Sequence, residues 1–120
     1  MADIEILYDP IATEELRRLV LDGYGDMVKY VVDVERQVIA LGGQLHADGE
    51  ALLLESGSRQ EDLWGANYFP GTSALECVEF TSLINIRPAQ SNLGMEIVDP
   101  RLRDRVLALT HRLIGRGEVL

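Results

Sequence analysis

Three groups of polar residues have types and spacings that could do chemistry. The first is Leu45-His46-Ala47-Asp48-Gly49-Glu50. Read as a strand, it sets His46, Asp48 and Glu50 on one face, with neighbours about 6.6 Å apart and the ends about 13 Å apart. Two of them could share a metal ion in a small metal-assisted hydrolase. Read as a helix, the segment brings His46 and Glu50 together at i, i+4 and turns Asp48 away. Either geometry supplies at most two ligands, where zinc takes three or four. The others would have to come from Glu61, Asp62 or Glu79, so a hydrogen-bonded polar face is the plainer account, and neither a metal nor a cofactor is expected.

The second group lies on Val78–Arg87, where Val78, Phe80, Ser82, Ile84 and Ile86 alternate with Glu79, Thr81, Leu83, Asn85 and Arg87. Asparagine is depleted in strands, so Asn85 points to a specific hydrogen-bonding task. Arg87 offers a planar fork for a carboxylate or phosphate. With His46, Asp48 and Glu50, the residues Glu79, Asn85 and Arg87 form a candidate binding face for a small anionic ligand. A structural network among Glu79, Arg87 and His46 explains the same residues. Gln90 and Asn92 continue the polar run.

The third group is Arg101, Arg105, Arg112 and Arg116. At 100° per residue they fall within about 60° of each other on one helix face. A solvated face is one reading. The sharper one is an ion-pairing edge against the acidic remainder of the chain or against a second copy, since Arg101, Arg103 and Arg105 lie at the unfavourable end of the helix dipole. Arg103 falls off the stripe and reads as plain surface, and His111 as solvated. Trp64 reads as core, and Cys77 as a small buried hydrophobe in a strand. No catalytic residue is assigned.

Charge narrows the partners. The chain has 120 residues and a net charge of −9, which disfavours nucleic acid and anionic membrane. Residues 1–98 carry six basic and 17 acidic side chains, whereas residues 99–120 carry five arginines and three acids. No apolar run nears the roughly 20 residues needed to cross a bilayer. Met1–Glu5 does not read as a secretory signal and Cys77 is the single cysteine, so a cytoplasmic setting is expected.

The elements that must position these residues follow from periodicity. Ile4–Leu7 reads as a strand, and 14–23 as a helix capped by Thr13. Met27–Val34 and Val38–Leu41 read as a hairpin. Ala51–Glu55 and Gln60–Phe69 read as a second hairpin around Gly57. Val78–Arg87 is the next strand, ended by Pro88. Asp99-Pro100 opens a last helix with the apolar stripe Leu102, Val106, Leu109 and Leu113. The expected fold is one α+β domain, order β-α-β-β-β-β-β-α, with two helices on one face of a mostly antiparallel sheet of five to six strands.

Several blocks carry a resemblance: Val31-Val32-Asp33-Val34-Glu35, Ala40-Leu41-Gly42-Gly43 with Leu45-His46-Ala47-Asp48, Ala51-Leu52-Leu53-Leu54-Glu55, Leu63-Trp64-Gly65-Ala66-Asn67, and Glu79-Phe80 through Ser82-Leu83-Ile84-Asn85-Ile86-Arg87-Pro88. Across nearly the whole chain they resemble a small bacterial family catalogued as a domain of unknown function. The resemblance implies no activity or cofactor. It leads one to expect alanine where Gly49 stands and glycine where Gln37 stands. The former leaves a helical reading of 45–55 open. The reading that follows is a small non-catalytic binding or protein-interaction domain, homodimeric. The rivals are the metal-assisted hydrolase and an antitoxin or adaptor that captures a basic protein.

Overall fold

The structure is a computed structural model that describes residues 3–120. The chain begins with β1 (Ile4–Leu7), α1 (Thr13–Asp22), β2 (Val28–Asp33) and β3 (Val38–Gly42). Then come α2 (His46–Glu55), β4 (Leu63–Tyr68), the two-residue β5 (Val78–Glu79) and α3 (Pro100–Leu113), with 3-10 turns at Gln60–Asp62, Leu83–Asn85 and Pro88–Gln90. The sheet is antiparallel throughout, in the order β1-β3-β2-β4-β5. The α+β class and the five strands match the expectation. Three α-helices replace the two expected.

The extra helix is α2. Residues 44–55 include no β-branched side chain and are rich in alanine, leucine and glutamate, which favour helix. The continuous apolar run Ala51–Leu54 could not by itself distinguish strand from helix. Gly42 and Gly43, at φ +109° and +88°, turn the chain out of β3 into it. The second hairpin therefore does not form, and β4 instead pairs with β2 from Val28↔Tyr68 to Asp33↔Leu63.

Both faces of the sheet are covered, not one. On one side, Leu16, Leu19 and Val20 of α1 and Val106, Leu109 and Leu113 of α3 pack on Tyr30, Val32, Ile39, Leu41 and Ala66. Burying side chains of this size contributes about 1.5–3 kcal/mol each. Thr110 donates to the Val106 carbonyl (2.8 Å), so the buried Tyr30 hydroxyl donates to Thr110 Oγ1 at 2.6 Å. On the other side, Leu53 of α2 meets Val31, Val38, Ala40 and Leu63. A Cβ on Gly49 would lie 3.2 Å from Val31 Cγ2, so the bare glycine sets how closely α2 rests on β2.

The helix ends read unevenly. Asp99 caps α3, its side chain accepting from the Arg101 N–H at 2.9 Å, with Pro100 behind it. Thr13 does not cap α1. It is the first helical residue, and Ala12 occupies the cap position without a side-chain bond.

The long alternating strand Val78–Arg87 stops after Glu79. Ser82 Oγ accepts from the Ile84 N–H and starts a 3-10 turn instead. Serine and asparagine side chains compete with a ladder for backbone partners, and here they win.

Candidate functional site

β4 is paired along its whole length with β2, but β5 covers only Asn67 and Tyr68 on its other edge. Side chains finish the rest. Asn85, fully buried, accepts from the Gly65 N–H and donates back to the Gly65 carbonyl, both at 2.9 Å. One amide thus stands in for a strand partner. Its other N–H reaches the Met95 carbonyl at 3.1 Å. Gly65 must lack a side chain here, because a Cβ would come within 2.6 Å of Ser82 Cβ.

Arg87 extends the same repair. Its guanidinium donates to the Gln60 carbonyl at 2.6 Å and to the Leu63 carbonyl, and its Nε to Ile84. It lies 4.5 Å from the centroid of the Trp64 ring, and Trp64 itself is buried. Burial lowers the Arg87 pKa, and the Glu50 carboxylate partly offsets this.

His46, the first residue of α2, is buried against β4. Its Nε2–H donates to the Ala66 carbonyl at 2.8 Å, which fixes the neutral tautomer. Burial lowers its pKa and the Lys29 charge adds to that, against the opposing pull of Ala66 and Asn67. Glu79 accepts from Asn67 Nδ2 at 2.7 Å.

Four of the six predicted binding residues, His46, Glu79, Asn85 and Arg87, therefore converge on β4. His46, Asn85 and Arg87 each bond its backbone, at Ala66, Gly65 and Leu63, and Glu79 bonds the Asn67 side chain. Asp48 is exposed on α2, and Glu50, one turn from His46, holds a buried Oε2 with no partner. The strand face proposed for His46, Asp48 and Glu50 does not exist, because the segment is helical. Among the described residues no three metal-binding side chains come together. Cys77 is buried, just before β5 instead of within it, and burial raises its pKa, as for an inert thiol.

The arginine stripe divides. Arg105 reaches the Val34 carbonyl (2.9 Å) and Glu35 (3.0 Å), and Arg112 reaches Gln37 at 3.1 Å. The guanidinium groups of Arg101 and Arg116 have no partner among the described residues. Arg103, expected to be idle, lies 4.7 Å from the Phe80 ring and bonds Ile97 and Glu96. His111 is likewise half-buried, with its Nε2 bonded to the Ala74 carbonyl at 2.7 Å.

The residues that sequence reasoning missed are apolar and exposed. Leu83 (71%), Ile86 (44%), Leu93 (76%) and Met95 (42%) stand out from two segments tied back to back. Ser82 N–H bonds the Met95 carbonyl, and Arg87 and Asn92 bond each other's backbones at 2.7 and 3.1 Å. The buried Asn92 amide locks the turn through Asn85, Gly94, Glu96 and Val98. Leu83 and Ile86 were visible as apolar, but the strand reading placed Ile86 inside. Beside this ridge lies an open cleft of about 500 Å³, lined by Asp62, Trp64, Asn92, Val98, Arg101 and others.

A family profile described as a protein of unknown function, DUF5674, matches residues 5–113. The chain belongs to this family. No curated protein and no solved structure shows a significant match. The family so identified carries no assigned activity, so function must be argued from the geometry. One family-linked expectation gains a physical reason. Gln37, where glycine was expected, has φ +57°, a left-handed conformation that costs any residue with a Cβ. Among the described residues no helix is long and apolar enough to cross a membrane.

Proposed function

We propose that this DUF5674 chain is a non-catalytic protein-interaction domain that self-associates as a homodimer. The observation that carries this reading is the ridge Leu83, Ile86, Leu93 and Met95. At about 200 Å² for each fully exposed large side chain, the four offer roughly 450 Å² of apolar surface, the size of the largest patch on an ordinary monomer, which is often functional. The ridge is not a floppy loop, because Asn85 and Asn92 anchor its backbone from beneath. A rigid surface pays little ordering entropy on binding.

A second copy is the occupant favoured by area and charge. A stable interface needs about 800 Å² per partner, with an apolar centre and a polar rim. The ridge would supply the centre. The adjoining cleft carries both signs of charge, Asp62 and Arg101, as a self-complementary rim requires. The metal-assisted hydrolase has less support, since His46 Nε2 is committed to Ala66 and the helix turns Asp48 away, leaving only Glu50 on the same face.

Light scattering after gel filtration tests the ridge. Leu83→Glu and Leu93→Glu are expected to melt like the unaltered chain but elute as monomers at concentrations where it is dimeric. Unchanged association in both variants would remove the ridge from the interface.

A further inference from the structure

The cleft beside the ridge has an unusual charge arrangement. One wall is acidic and comes from the β2–β3 connection and the turn before β4: Glu35, Glu61 and Asp62. Glu35 is paired with Arg105, and Glu61 with Arg59. Asp62 makes no side-chain hydrogen bond or ion pair among the described residues. Its backbone is nevertheless held firmly, with its N–H on the Arg59 carbonyl (3.0 Å) and its carbonyl on the Val34 N–H (3.1 Å). Burial, and the neighbouring carboxylates Asp33, Glu35 and Glu61, raise its pKa against the pull of Arg59. It is an acid short of a cation.

The opposite wall holds the converse. Arg101, in the first turn of α3, lines the same cleft and is exposed. Its guanidinium has no partner among the described residues, and it does not come within ion-pair range of Asp62. Asp99 is taken by its cap on the Arg101 N–H. The positive end of the α3 dipole opposes a cation there, so an acidic partner would gain from both effects.

We propose that the cleft of each copy receives Arg101 of a second copy, with Asp62 as the acceptor. The inference rests on the self-association reading and supplies its register. A two-fold interface presents the same patch from both sides, so one such contact is made twice. The pairing also gives two chains of net charge −9 a local attraction that steers them into one orientation.

Charge reversal tests it. Asp62→Arg and Arg101→Asp are made separately, and association is followed by sedimentation equilibrium. Each variant alone places like charges across both contacts and is expected to dimerise at least about tenfold more weakly. An equimolar mixture of the two is expected to recover the unaltered affinity as a mixed dimer, because each contact again pairs opposite charges. Variants that dimerise as tightly as the parent overturn the inference and leave self-association standing. Weakening without recovery on mixing also overturns it, and assigns both residues to their own chain. A parent that stays monomeric overturns the inference and the dimer together.

Discussion

Replacing Asn85 by alanine tests the idea that one side chain completes the edge of β4. The side chain is fully buried and makes three hydrogen bonds, two of them to Gly65. Alanine would leave a buried N–H and a buried C=O of Gly65 without partners. Each such group costs about 1–3 kcal/mol. Counting the Gly65 pair alone, the loss is about 2–6 kcal/mol, a large share of the roughly 5–15 kcal/mol that domains possess. At about 3–6 °C per kcal/mol for a chain of this size, melting should fall by about 6 °C or more. Urea denaturation gives the free energy, and hydrogen exchange at the Gly65 amide gives the location. Asn85→Asp sharpens the test, since it keeps the size and the acceptor but loses both donated bonds. A loss under about 1 kcal/mol, with Gly65 still protected, would refute the reasoning.

Three further outcomes are expected. Arg87→Lys should cost about 1.5–3 kcal/mol in chemical denaturation, because an ammonium cannot span the Gln60 and Leu63 carbonyls while stacking on Trp64. His46 should titrate below its ordinary value in an NMR pH series. The unfolded chain then takes up that proton first, so His46 favours the fold above about pH 6.5, and this contribution fades as pH falls from there through the folded-state pKa; a His46→Gln variant should lose that part of the pH dependence. Gln37→Gly should raise stability by up to about 1 kcal/mol in thermal melts by relieving the left-handed strain, less whatever the Arg112 contact contributed.

The parts of the fold governed by local chemistry were legible. Val28–Asp33 and Val38–Gly42 follow β-branched runs, and α3 follows Asp99-Pro100 and a helical apolar stripe. The parts governed by competition were not. In 46–55 helix propensity without β-branching prevailed over an apolar run that suits either state. In 80–87 a regular alternation predicted a strand, yet Ser82 and Asn85 took the backbone bonds for themselves. Asn85 was rightly singled out as having a specific task. That its partner is the Gly65 backbone, and not a ligand, depends on β5 being too short to cover β4, which no local pattern reveals. The exposed ridge was illegible for the same reason, since a strand reading buries Ile86.

The central claim is that two of these chains associate, and sedimentation equilibrium of the unaltered protein tests it most directly. At about 10 µM and moderate salt, the fitted mass should climb towards twice the 13.4 kDa of one chain and fall back on dilution. A mass that stays at 13.4 kDa at every concentration and salt would contradict it.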